Sequence, residues 1–150
     1  MISTYISTEN NQINEVFSPI NSEIIIIKNY LGLAYLPNIP FNGIGNLDIG
    51  QGYQIKMNSD VNLTLNGNII EPENNPITLV SGWNMIAYLH DYPQSLLNIF
   101  NDLVVNNQLI IVKNWNGLVY IPEINFNAIG NMNPGQGYQL KVTESTILQY

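Results

Sequence analysis

The chain repeats itself. Residues 28–57, KNYLGLAYLPNIPFNGIGNLDIGQGYQIKM, align without a gap against residues 113–142, KNWNGLVYIPEINFNAIGNMNPGQGYQLKV, at a constant offset of 85, and 18 of the 30 positions are identical. An internal period constrains architecture more than local propensity does, because each copy has to fold by the same rules. It also sorts the residues: what both copies keep is needed by the unit, and what one copy keeps is optional.

The match extends beyond this block with small gaps. Met1-Ile2 pairs with Met85-Ile86, Tyr5-Ile6 with Tyr88-Leu89, Val16-Phe17 with Ile99-Phe100, Ile25–Ile27 with Ile110–Val112, and Val61–Leu65 with Thr146–Tyr150. Three segments follow: a first unit over 1–70, a polar linker with two prolines over 71–76, and a second unit over 77–150. The copies are unequal. The second opens with Ile77-Thr-Leu-Val-Ser-Gly-Trp-Asn84 before Met85, whereas the first begins at Met1, so the first unit is expected to lack a strand that the second has.

Strand signals dominate. Ile24–Lys28 and Leu109–Lys113 are short apolar runs suited to buried strands. Each leads through a turn, Asn29-Tyr-Leu-Gly32 or Asn114-Trp-Asn-Gly117, into a second strand, Leu33–Leu36 or Leu118–Ile121, which a proline stops. Gly52–Met57 and Gly137–Val142 alternate apolar and polar, as a half-buried strand does. Val61–Leu65 and Thr146–Tyr150 are expected as last strands, and Trp83–Leu89 as a strand after the Ser81-Gly82 turn. Helical spacing is confined to Gln12–Phe17 and Gln94–Asn101, one short helix per unit. The expected fold class is mainly β: two tandem homologous β-rich units, each a small sandwich or barrel with one short helix.

Composition excludes several function classes. The net charge is −7, from eleven acids and four lysines with no arginine, which opposes binding to nucleic acid or to anionic membrane surfaces. There is no cysteine, hence no disulfide, thiolate nucleophile or thiolate metal site. No stretch is apolar for long enough to span a bilayer. The segment Met-Ile-Ser-Thr-Tyr has neither the basic nor the hydrophobic part of a signal peptide. The expectation is release without one, as for a virion protein, or excision from a longer chain. Asparagine, with 25 residues, supplies much of the polarity that charged side chains usually provide.

The sequence Gly82-Trp-Asn-Met-Ile, the Ile-Val-Lys-Asn…Gly-Leu-Val-Tyr hairpin, Pro134-Gly-Gln-Gly-Tyr-Gln-Leu and a final strand resemble a widespread β-module. Its pattern is GWN(L/M)I, a hairpin, PGxGY(W/Q)(V/I) and TLxG. It is similar to repeats of bacterial secreted and surface proteins and of structural proteins of marine bacteriophages. The resemblance covers nearly the whole chain and implies a non-catalytic module used in tandem for display, adhesion or virion structure. It carries no active site to transfer. The chain departs from the pattern in the absent lead-in of unit one and in Ile49, where unit two has Pro134.

Within the units, Gly50-Gln-Gly-Tyr53 and Gly135-Gln-Gly-Tyr138 could cradle a phosphate, but that use needs a following helix, and a strand follows. A turn or bulge is the expected role. All four lysines are paired by the repeat, Lys28 with Lys113 and Lys56 with Lys141, while no acid meets an acid. They are candidate anion, carbohydrate or partner contacts; the alternative is a stem packed over aromatics. A Lys–Asn isopeptide would also need a repeated buried carboxylate. Tyr30 and Trp115 share one hairpin tip and are candidate contacts for sugar rings or a protein partner, against a ring folded back on its own hairpin. Tyr35, Tyr120, Phe41 and Phe126 are assigned to the core. His90, the only histidine, has no cysteine or repeated acid beside it and makes a poor base or metal ligand.

The expectation is therefore a structural or interaction protein of a virion (capsid decoration, tail or fibre) or a cell surface. Its partners would be capsid, tail or surface subunits, or further copies of itself. It would not be an enzyme and would have no cofactor, metal, nucleic-acid partner or membrane insertion. The alternative is a carbohydrate-binding adhesion module using Tyr30 and Trp115. The open edge of unit one is expected to be filled by the end of this chain, by another copy, or by a partner strand.

Overall fold

The computed structural model describes residues 1–150 and is mainly β, with several antiparallel sheets joined by short helical turns. No sheet closes into a barrel, so that alternative is corrected: the strands are too short and too few per sheet to meet edge to edge.

In the first half a four-stranded sheet runs in the order Phe41–Asn42, Ala34–Leu36, Ile24–Lys28, Gln54–Met57. In the second half a five-stranded sheet runs Phe126–Asn127, Val119–Ile121, Leu109–Lys113, Gly137–Val142, Gly82–Ala87. The registers correspond. Ile27 stands opposite Ile55 and Tyr35, as Val112 stands opposite Leu140 and Tyr120. Ile24–Lys28 and Leu109–Lys113 even slip register at the same point, after the first residue.

Repeated asparagines give the turns their shape. The Asn29 Oδ1 accepts from the N–H groups of Leu31 and Leu33 at 3.1 and 3.0 Å. Asn114 does the same for Asn116 and Leu118, both at 3.0 Å. An asparagine side chain that captures amides two and four residues on closes a hairpin without help from distant groups. One turn later Asn42 accepts from Gly45 at 2.8 Å, and Asn127 from Ile129 and Gly130 at 3.0 Å.

Several expectations need correction. Phe41 and Phe126 are about half exposed rather than core. They lie on two-residue strands opposite Leu36 and Ile121, on the sheet face turned away from buried Tyr35 and Tyr120. Gln94–Ser95 pairs with Asn131–Met132 as a short strand instead of opening the helix. The helical segments are Leu96–Ile99 and Asn101–Val105 in the second half, and Ile13–Val16 continuing into the 3-10 turn Ser18–Glu23 in the first. They bury Leu96, Ile99 and Leu103, and Ile13, Val16 and Ile20, against the sheets. Val61–Leu65 is not a strand. Its counterpart Thr146–Leu148 is one because it pairs with Ile77–Leu79, and the first half offers Val61–Leu65 no such partner. Within the proline-containing join, Pro72–Asn74 makes a 3-10 turn with Pro72 buried, after Asn68–Ile69 has paired back with Ile6–Ser7.

Two apolar cores result, 8 buried residues in the first half and 19 in the second, where Ile70 also packs. The halves meet through reciprocal backbone hydrogen bonds. Gly52 N–H donates to Met85 C=O at 3.1 Å, and Gly137 N–H to Met1 C=O at 3.3 Å. Ala87 N–H donates to Gly50 C=O and Ser3 N–H to Gly135 C=O, each at 2.9 Å. The Gly-Gln-Gly repeat thus does two jobs. Gly50 and Gly135 turn the chain at φ +83° and +76°. Gly52 and Gly137 let the opposite half approach: a Cβ there would lie 2.5 Å from the Ile86 carbonyl oxygen and 2.6 Å from that of Ile2.

Candidate functional site

The two halves differ most at one strand. In the second half, Gly137–Val142 is covered on both sides, by Leu109–Lys113 and by Gly82–Ala87. In the first half, Gln54–Met57 is the last strand of its sheet, paired only with Ile24–Lys28. Just before it, Tyr53 exchanges two 2.8 Å hydrogen bonds with Ile2, as a single bridge. Antiparallel strands direct alternate residues' amides to one side. Tyr53 directs its N–H and C=O toward Ile2, so Ile55 and Met57 present theirs to the same open side. Burial registers the difference: Leu140 and Val142 are 0% and 1% exposed, whereas Ile55 and Met57 are half-buried.

Two clefts flank this edge. On the core side, an apolar groove of about 540 Å³ is lined by Phe17, Tyr53, Ile55, Met57, Leu63 and Leu65, among others. On the opposite side, a polar cleft of about 460 Å³ is lined by Lys28, Lys56, Gln54, Lys113, Gln139 and Trp115, among others. Ile55 lines both, because it stands on the edge between them. No carboxylate lines the polar cleft, although the chain carries eleven acids and only four lysines. Three of the four cationic side chains therefore meet in one place.

The candidate contacts fall as follows. Lys28, Lys56, Lys113 and Trp115 come together in the polar cleft, with the Trp115 ring exposed at its rim. Lys141 lies outside it, paired across the sheet with Trp83. Tyr30 lies elsewhere, over a smaller cleft of about 180 Å³ beside Gly50, Ile77 and Asn84. The two hairpin-tip aromatics thus do not form one surface. Lys113 additionally sits 4.9 Å from the centre of the Trp83 ring, a cation–π contact with no equivalent for Lys28, since no aromatic stands opposite Lys56. Ile55, Met57 and Gln54 were missed as site residues. For Ile55 and Met57 the available signal was their alignment in the repeat with Leu140 and Val142, which stand opposite Asn84 and Gly82.

Two buried tyrosine hydroxyls hold the turns before their strands. The Tyr53 hydroxyl accepts from Asp48 N–H at 2.8 Å, and the Tyr138 hydroxyl from Asn133 N–H at 3.0 Å. Burial pushes the Tyr53 phenol up to about 12. His90 lies in an aromatic cluster, its ring 5.5, 5.1 and 5.5 Å from those of Tyr88, Tyr92 and Tyr150. Burial holds its imidazole below the ordinary value, with Glu73 and Asp91 pulling weakly the other way. No three His, Asp or Glu side chains are grouped to hold a metal ion, and no helix is long and apolar enough to cross a membrane.

No family model, curated protein or solved structure matches the chain.

Proposed function

We propose that the chain is a tandem of two copies of one β-unit and serves as a non-catalytic structural or interaction module of a virion or cell surface. The observation that carries this reading is the strand Gln54–Met57, which no strand within residues 1–150 covers on its outer side, with an apolar groove beneath it. Unpaired strand edges are association sites, and soluble monomers normally cover or charge them. The residues kept by both copies support the same view. They are turn asparagines, junction glycines, strand apolars and the paired lysines Lys28/Lys113 and Lys56/Lys141, the inventory of a scaffold rather than of an active site. The matching test is chemical crosslinking to candidate capsid, tail or surface proteins from the source. A stable complex whose crosslinks map to residues 53–65 supports the reading; complexes mapping only elsewhere would refute the edge as the contact.

One observation favours a second reading, carbohydrate binding: an exposed tryptophan, Trp115, stands beside three lysines and two glutamines in one cleft. Indole faces stack on sugar rings while the amines meet acidic substituents. A glycan array decides here. Binding that disappears in Trp115→Ala would make the polar cleft, rather than the edge, the working site.

A further inference from the structure

The cations of this chain are unevenly distributed. All four lysines lie in the two matched blocks, 28–57 and 113–142, together with only two of the eleven acids, Asp48 and Glu123. In each block the register sets a lysine opposite a glutamine across the sheet, Lys28 opposite Gln54 and Lys113 opposite Gln139. The residues before these lysines, Ile27 and Val112, are fully buried in the two cores. Adjacent residues of a strand point to opposite faces, so both Lys–Gln pairs stand on the outer faces of their sheets. The fold brings both pairs into the polar cleft, and Asn114, Trp115 and Gly117 of the second hairpin complete its wall. Neither Asp48 nor Glu123 reaches it. The cleft does not depend on the edge of Gln54–Met57 being open. A strand beside that edge lies in the plane of the sheet, whereas the cleft lies over the face. The second half shows this directly. Gly82–Ala87 covers Gly137–Val142 on its outer side and Trp83 packs against Lys113 at 4.9 Å, yet Lys113 and Gln139 both line the cleft.

We propose that this cleft binds an acidic glycan, a sugar chain that carries carboxylate or sulfate groups. The inference rests on the carbohydrate reading of the cleft and specifies the class of sugar. Each wall argues for it. An ammonium group donates hydrogen bonds and accepts none, so Lys28, Lys56 and Lys113, with no carboxylate among the lining residues, offer their charge to a ligand. The molecule as a whole carries a charge of −7, which repels anions everywhere except at such a cation-only spot. The side-chain amides of Gln54 and Gln139 both donate and accept, as sugar hydroxyls require. Trp115, 57% exposed at the rim, presents a flat apolar face on which a sugar ring can stack. A neutral sugar would leave three ammonium groups unmatched, and a small inorganic anion would leave the indole and the glutamines unused. The site is also composite. Both halves supply a Lys–Gln pair, but only the second supplies the ring, because Tyr30 lies over a different cleft.

The test titrates the intact protein by calorimetry with polygalacturonate, dextran sulfate, neutral dextran and polyglutamate at low salt. Saturable binding is expected for at least one of the two acidic polysaccharides, the tighter of them naming the acidic group, and not for neutral dextran. Added salt is expected to weaken it, since exposed charges are screened. Lys28→Gln and Lys113→Gln are each expected to weaken binding roughly three- to ten-fold, the size of one charge-assisted hydrogen bond at a wet site. Trp115→Ala is expected to weaken it as well. Lys141→Gln removes the same charge outside the cleft and is expected to leave binding unchanged. Absence of saturable binding to both acidic polysaccharides overturns the inference. Equal losses in Lys28→Gln and Lys141→Gln also overturn it, because binding then follows net charge alone. Polyglutamate that binds as tightly and ignores Trp115→Ala makes the cleft a site for an acidic protein segment instead. If neutral dextran binds as tightly and Trp115→Ala abolishes that binding, the acidic specificity fails while the carbohydrate reading stands.

Discussion

The glycines of the Gly-Gln-Gly-Tyr repeat show how much one hydrogen atom in place of a side chain decides. Gly52 and Gly137 do not have the positive φ of a turn glycine. Their Cα atoms lie against the other half's backbone, where a methyl group would meet the carbonyl oxygens of Ile86 and Ile2. Backbone cannot step aside as a flexible side chain can, so overpacking there should cost about 1–3 kcal/mol. Gly52→Ala and Gly137→Ala are each expected to lower the urea midpoint by a corresponding amount. An unchanged midpoint would show that the halves do not meet as described. His90 makes a second prediction. The unfolded chain takes up a proton near the ordinary imidazole value of about 6.5, while the buried folded ring resists protonation until lower pH. Below about pH 6.5 the unfolded state then binds more protons, and stability falls as pH falls. Urea melts from pH 7.5 to 5.5 should show this loss, and His90→Gln should flatten it.

Among the elements, a strand forms where it has a partner, whatever its own propensity. Val61-Asn-Leu-Thr-Leu65 has better strand alternation than Thr146-Ile-Leu-Gln-Tyr150, yet the second is paired and the first is irregular. Backbone amides without a partner exchange with solvent readily. The amides of 61–65 are expected to exchange orders of magnitude faster than those of Thr146–Leu148, measured by hydrogen–deuterium exchange on the free protein. Comparable protection in both would mean that Val61–Leu65 already pairs within the monomer. The hairpins are the opposite case. Asn29 and Asn114 close their turns locally, which is why their positions were legible as Asn…Gly spacing before any contact was known.

For the whole molecule, the unequal cores imply unequal stability. Burial of apolar surface is the dominant favourable term in folding, and the first half has 8 buried core residues where the second has 19. Both tryptophans, Trp83 and Trp115, lie in the second half, so their fluorescence follows that half while far-UV circular dichroism follows both. In urea the circular dichroism signal is expected to begin falling before the tryptophan signal. Coincident curves would show that the junction welds the halves into one cooperative unit.

The repeat by itself determined the mainly β class, the hairpins and the alternating strand before the last turn. Each of these follows from local chemistry: the turn chemistry of asparagine and glycine, apolar alternation, and the run lengths of isoleucine. Only the tertiary structure decided which of the kept residues touch. It brought Lys28, Lys56, Lys113 and Trp115 into one cleft and left Tyr30 and Lys141 outside. It turned Phe41 and Phe126 outward, and it left Val61–Leu65 unpaired. Those outcomes depend on which strand lies beside which. That is a property of long-range pairing, and the periodicity of any one segment does not encode it.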